Sequence, residues 1–316
     1  MSAARTRNGS GAMAGALVAV ALWGLAPVAT RAVVAHIAPL PLLVVRMGVA
    51  SLALLPWAIP VFRRMDWRQA GRLAAAGILG IVGYTLPVTE GLRYLHASTA
   101  GLLLASEPIW VMVIGCAFLA ERPGARAWTG SAVALAGVAL LAGPAAVTGA
   151  GGGPALAGAG LVLTGTCAFA AYTIVLRPIS AAFGALPATA ASTVVGTLPF
   201  LAFAGTLAGA RLGQVPPSAW MSVGFLALGS SVAGMVLWNR AVASLGSTRV
   251  SLLLYLEPVV SVSGAAVLLG EPVTALMIGA GLLIMAGVVT AGTAASASAR
   301  KHHERVPQRH VDKPKV

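Results

Sequence analysis

The run Leu-Leu-Leu-Ala-Ser-Glu-Pro, from Leu102 to Pro108, returns 150 positions later as Leu-Leu-Leu-Tyr-Leu-Glu-Pro, from Leu252 to Pro258. Fourteen residues after each glutamate of these runs, Glu107 and Glu257, comes a second one, Glu121 and Glu271. Proline offers no N–H to a helix, and a carboxylate inside apolar sequence is costly in lipid. Two such pairs point to a duplicated helical membrane protein with a working centre between its halves.

Composition supports that class. Hydrophobic residues make up 58% of the chain and charged residues 9%, whereas a soluble domain carries about 25% charged residues. Apolar stretches near the ~20 residues that cross a bilayer run almost end to end. The alternating segments of about ten residues that mark an outer-membrane barrel are absent. The net charge of +13 does not mark a nucleic-acid binder, because it crowds into short loops and a tail carrying Arg300, Lys301, Arg305, Arg309, Lys313 and Lys315. Such placement reads as a topology signal with some attraction to anionic lipid. Cys116 and Cys167 lie in apolar stretches, with neither disulfide nor metal spacing. Arg5 and Arg7 precede an apolar run that reaches Ala35, too long for a cleaved leader and read as a retained helix.

Apolar runs and breaks predict an all-α integral membrane fold of ten spans. Those of the first half are Ala12–Ala35, Leu42–Phe62, Leu73–Leu92, Ala100–Leu119 and Ala127–Gly143; those of the second are Leu156–Leu176, Ala188–Ala208, Trp220–Ala243, Val250–Leu269 and Val273–Thr293. Residues 1–143 form one repeat, 144–155 a glycine-rich linker, 156–293 the second repeat, and 294–316 a basic tail read as disordered. With the N-terminus inside, one side collects Arg5, Arg7, Arg63, Arg64, Arg68, Arg72, Arg122, Arg126, Arg177, Arg249 and the tail, against Arg93 and Arg211 on the other, with Arg31 near that face. This asymmetry places both termini in the cytoplasm. Five spans per half turn the second half upside down relative to the first, the organisation of many secondary transporters, whose site lies between the repeats at mid-membrane. The aligned pairs Leu95/Leu245, Ser98/Thr248 and Gly137/Gly287 extend the repeat.

The two Leu-Leu-Leu-x-x-Glu-Pro runs, the following glutamates, the glycine-rich closing helices and Trp23-Gly24 resemble the EamA repeat of the drug/metabolite transporter superfamily, from about Ala12 to Thr293. The resemblance implies a ten-helix carrier of the inner (plasma) membrane, two inverted five-helix repeats around a central cavity. It further implies export of amino acids or other small metabolites without an ATP-binding domain or cofactor. Pro27 stands near Trp23-Gly24 where the family often has a polar residue such as Asn, so no substrate contact is carried over to it.

Candidate site residues are the charges within spans. Glu107 and Glu257 are expected at opposite depths, one under each gate, where a carboxylate can exchange a proton near neutral pH or bind a cationic group; structural pairing at the proline-disturbed helix is the competing role. Glu121 and Glu271 are read as helix-end residues in water. Arg46, Glu90 and Arg240 break the repeat symmetry: the equivalent of Arg46 is near Ser192, and those of Glu90 and Arg240 coincide. A site that orients a polar solute requires such asymmetry, whereas snorkelling to the interface suits Arg240 best. Trp23, Tyr84, Tyr172, Trp238, Tyr255 and Trp110 lie deep enough to line a pocket or simply to pack. Pro27, Pro87, Pro108, Pro199 and Pro258 are hinge candidates. Glycines such as Gly130, Gly137, Gly279, Gly281 and Gly287 permit close helix contact within the chain, and leave a homodimer through the fifth and tenth spans open. His302, His303 and His310 belong to the solvated tail rather than to a metal site.

The expected activity is therefore alternating-access transport of a small molecule, with a proton as candidate coupling ion. A non-transporting scaffold or receptor gives the buried charges no task. A membrane enzyme lacks its chemistry: Asp66 and Asp312 are the only aspartates, both outside the spans, and no His-Glu-x-x-His or Gly-x-Ser-x-Gly motif occurs.

Overall fold

The computed structural model describes residues 2–119, 124–147, 152–210, 212–245, 250 and 252–305. The described residues form helices joined by short turns. Their order is α1 (Ser2–Gly24), α2 (Ala26–Val34), α3 (Pro39–Arg64), α4 (Trp67–Gly77), α5 (Gly83–Gly91), α6 (Ala97–Leu104), α7 (Glu107–Leu119), α8 (Ala125–Val147), α9 (Gly152–Phe183), α10 (Ala185–Leu201), α11 (Thr206–Gly209), α12 (Pro217–Gly224), α13 (Met235–Leu245), α14 (Glu257–Leu269) and α15 (Ala275–Arg305). Six stretches are long and apolar enough to cross a membrane: Ser10–Val34, Pro39–Arg64, Trp67–Gly91, Ala97–Phe118, Gly153–Phe183 and Pro217–Leu245. Shorter apolar helices span Ala185–Leu201, Leu253–Leu269 and Ala275–Ala291. The last helix runs on to Arg305, through residues expected in the disordered tail, where alanine, lysine and arginine sustain a helix.

Several spans are broken in ways the sequence explains. Pro27 sits in the first turn of α2, and the helix is interrupted at Leu25. Ala105 and Ser106 interrupt the fourth span immediately before Glu107 and Pro108, because proline removes one helical hydrogen bond and disfavours a helical residue before it. The Ser106 hydroxyl donates to the Leu103 carbonyl at 2.7 Å, which also accepts the Ser106 N–H at 3.1 Å. A 3-10 turn over Leu252–Leu256 gives the same interruption ahead of Glu257 and Pro258. Pro87 and Pro199 remain inside α5 and α10. Two π-helical segments, Ile78–Val82 and Phe225–Gly234, widen the spans Trp67–Gly91 and Pro217–Leu245 at positions related by the repeat offset.

The most extensive helix contacts cross between the halves. They pair α8 with α15, α3 with α10, α5 with α9, α1 with α13, and α6 with α14. In the first of these the backbones touch: a side chain at Gly130 would strike Gly287 and Ala291, and one at Gly137 would strike Ala280 and Ile284. These glycines are thus consumed in contacts within the chain. At one end, the turns after α2, α5 and α14 come together; we call it the His96 end. At the other, Asp66 caps α4, accepting from Gln69 N–H at 2.7 Å while its own N–H donates to the Gln69 side chain at 3.0 Å. Arg63, Arg64, Arg68 and Arg72 are exposed at this Asp66 end.

Candidate functional site at the helix breaks

The interruptions before Glu107 and Glu257 set both carboxylates at the first position of a new helix, half-buried in the bundle. They are close enough to act on one another electrostatically, and Tyr84 of α5 lies within electrostatic reach of both and of Arg46 on α3. Tyr84 of α5 thus stands among ionisable groups carried by three other segments, α3, α7 and α14. The two glutamates thus share an electrostatic neighbourhood. Among the described residues neither glutamate has a side-chain hydrogen bond or ion pair, and the Arg46 guanidinium has no carboxylate partner. One Arg46 terminal nitrogen donates to the Ser231 hydroxyl at a long 3.4 Å, and its Nε is buried without a partner. Buried donors are nearly always satisfied, so the unused Nε–H of this guanidinium is an exception. Trp110, one turn beyond Glu107, likewise has a buried unpartnered indole N–H.

Aromatic side chains frame the region. The Trp23 indole packs against Trp238 at 5.2 Å between centroids and donates to the Ser230 carbonyl at 3.0 Å. That acceptor lies in the π-helical segment, and Gly234 leaves the space that the Trp23 ring fills. Ser231 in the same segment donates to the Leu226 carbonyl at 2.9 Å, which fixes the hydroxyl facing Arg46. Opposite, Tyr84, Phe169 and Tyr172 stack in series at 4.8 and 5.2 Å, and the buried Tyr172 hydroxyl meets Ser192 at 3.3 Å. Gly24 lies so close to Glu257 and Val260 that any side chain there would collide, which joins the interruption of the first span to the Glu257 break.

Other sequence candidates lie elsewhere. Arg240 is exposed near the end of α13. Tyr255 is half-buried in the 3-10 turn and packs against the apolar core. Glu90 pairs with Arg93 at 2.7 Å at the His96 end. Glu121 lies outside the described residues.

Glu271 overturns its expected setting in water: it is 8% exposed. Gly270 closes α14 in the left-handed conformation (φ 66°), and the Glu271 N–H donates back to Ala265 at 3.2 Å, as in helix ends closed by glycine. That turn aims the carboxylate at the first turn of α6, where it accepts from Ala97 N–H at 2.8 Å, Ser98 N–H at 3.0 Å and the Ser98 hydroxyl at 2.7 Å. Burial alone would push this carboxyl up; the hydrogen bonds from Ser98 and Ala97, with His96 nearby, hold it below the usual carboxylate range. Negative charge at a helix N-terminus also suits the helix dipole. Hydropathy placed Glu271 in a loop; its alignment with Glu121, like that of Ser98 with Thr248, was the available signal of a built contact. Arg31 is a second connection unseen in sequence, donating to the carbonyls of Leu92 and Arg93 at 2.7 and 2.8 Å.

Known proteins agree on the kind of molecule. The EamA-like transporter family matches the chain twice, over residues 10–143 and 156–293. A protein of Streptantibioticus cattleyicolor described as a probable terminal-alkyne amino-acid exporter is 31% identical, over 77% of this chain and 80% of its own length. A probable amino-acid metabolite efflux pump of Salmonella typhimurium is 27% identical, over 86% and 92% respectively. An uncharacterised transporter of Archaeoglobus fulgidus is 25% identical over 85% and 94%. One solved structure superposes with a TM-score of 0.60 at 20% identity, covering 93% of this chain and 99% of its own, and shares the fold. With two family repeats spanning nearly its whole length and charges gathered inside its apolar helices, the chain is a multi-pass membrane transporter of the EamA-like family.

Proposed function

We propose that this transporter exports amino acids or closely related zwitterionic metabolites across the plasma membrane by alternating access. Ten spans would form two inverted five-helix repeats, with both termini in the cytoplasm. The observation that carries the reading is that Arg46, Glu107 and Glu257, which lie within apolar helices and lack ion-pair partners among the described residues, are each within electrostatic reach of Tyr84. An α-carboxylate matches the Arg46 guanidinium, and an ammonium matches the carboxylates. A proton or an ammonium between Glu107 and Glu257 relieves their mutual repulsion, so solute and proton can compete for one place. The cross-half pairing of α1 with α13 and α5 with α9 supports the inverted arrangement, because exchange of the two halves converts one pair into the other. Breaks before each Glu-Pro pair provide bending points for two halves that rock about the site. The names of the Streptantibioticus and Salmonella relatives support the solute class.

The test is efflux from proteoliposomes loaded with labelled leucine, phenylalanine or threonine, with and without an imposed pH gradient. Protein-dependent loss of label is expected, faster with an inward proton gradient. Efflux equal to that of empty liposomes for all three amino acids, at every gradient, defeats the proposal.

A further inference from the structure

The His96 end holds a cavity of about 750 Å³ that lies apart from the Glu107–Glu257 pair. Its walls are apolar, with Leu40 at the start of α3, Leu86 and Pro87 of α5, and Leu161 of α9, and it carries the ion pair Glu90–Arg93. Both charged side chains are partly exposed, and an exposed pair is easily separated. The turn that carries Arg93 is anchored, because Arg31 clamps the carbonyls of Leu92 and Arg93. Helical register sets its distance from the central residues. Pro39 lies two turns from Arg46 on one face of α3, and Leu161 lies two turns from Phe169 on α9.

We propose that this cavity is a second solute subsite, a vestibule that takes a free amino acid with an apolar side chain. Arg93 receives the carboxylate, Glu90 receives the ammonium, and Leu40, Leu86 and Leu161 contact the side chain. The proposal rests on the amino-acid reading above but concerns a different set of residues. A zwitterion inserted into the pair exchanges one ion pair for two, and the apolar walls add a preference for leucine-like over polar side chains. A solute passing between the centre and this side of the membrane meets the vestibule before open water.

The test places a reporter in the wall: Leu161→Cys in the full chain, with Cys116 and Cys167 replaced by serine, modified by maleimide in detergent. L-Leucine is expected to slow modification, and leucine amide and isocaproate, which each lack one charge, to protect less. Adding Glu90→Gln or Arg93→Gln raises the leucine concentration for half-protection by about two- to five-fold. If the Leu161→Cys chain is unstable, Leu40→Cys reports from another part of the wall. Absence of protection by leucine, or protection that ignores both charge variants, overturns the proposal. Protection that appears only in vesicles lacking phosphatidylethanolamine assigns the cavity to that lipid's zwitterionic headgroup, and also overturns it. Charge-dependent protection in a protein that moves no amino acid sustains the vestibule and sinks the export reading instead; export without protection does the reverse.

Discussion

Glu271 grips Ser98 twice, through the backbone N–H at 3.0 Å and the hydroxyl at 2.7 Å, although 173 positions separate the two residues. Each residue belongs to a different family repeat, so the contact ties the turn after α14 to the start of α6. Charge-assisted bonds to a buried carboxylate exceed ordinary ones in strength, and a partner left unpaired incurs the full desolvation cost. Glu271→Ala should lower stability by about 2–4 kcal/mol, and Ser98→Ala by about 1 kcal/mol. Thermal melts of the purified variants in detergent check both; melting temperatures equal to that of the parent would remove the cap from the list of stabilising contacts.

The same carboxylate sets a pH dependence with a definite sign. Its value in the fold lies below the ordinary carboxylate range, held there by the bonds from Ser98 and Ala97, so its contribution is complete above that range and fades as pH falls through the lower folded value. Melting temperature should therefore drop on acidification more steeply for the parent than for Glu271→Gln. Parallel curves for the two proteins between pH 3 and 6 would contradict the linkage.

Trp23 joins the first span to the π-helical segment through its bond to the Ser230 carbonyl. Trp23→Phe keeps the ring against Trp238 but abandons that carbonyl, at a cost of about 1 kcal/mol. Gly234→Leu drives a side chain into the place of the indole and should cost more, about 1–3 kcal/mol. The order of the two variants in a melting series is the check, and its reversal counts against the packing described.

Arg46 and the two glutamates are separable by charge. Arg46→Gln should abolish amino-acid efflux by removing the guanidinium that donates to Ser231, whereas Arg46→Lys should retain part of it. Glu107→Gln and Glu257→Gln should each uncouple flux from the pH gradient while solute exchange persists. Efflux that responds to the gradient as strongly in both Gln variants as in the parent would dismiss the proton role.

Much of the helical scaffold was legible because apolar length and proline placement are local properties. The stretches around Glu107 and Glu257 could be read as special from two residues each. Their exact breaks could not, since the interruption falls at Ala105 and Ser106, upstream of the proline, where the lost hydrogen bond is felt. Glu271 was misread because hydropathy assigns a loop to water without seeing which helix end faces it. The unpartnered Arg46 Nε, the Trp23–Ser230 bond and the Tyr84–Phe169–Tyr172 series depend on which helices become neighbours, and no single-chain periodicity reports that. The Glu90–Arg93 pair, three positions apart on one helix end, was accessible in principle; its position at the mouth of a cavity was not.

The cross-half pairing of α8 with α15, α3 with α10 and α5 with α9 bears on how the protein is made. When the first family repeat, residues 10–143, has left the ribosome, the faces that will receive its main partners still lie open to lipid, and the Gly130 groove has nothing in it. Assembly must wait for the second half. A chain severed within residues 148–151 should consequently yield no stable product from either fragment alone, yet recover a stable bundle when both are synthesised in the same membrane.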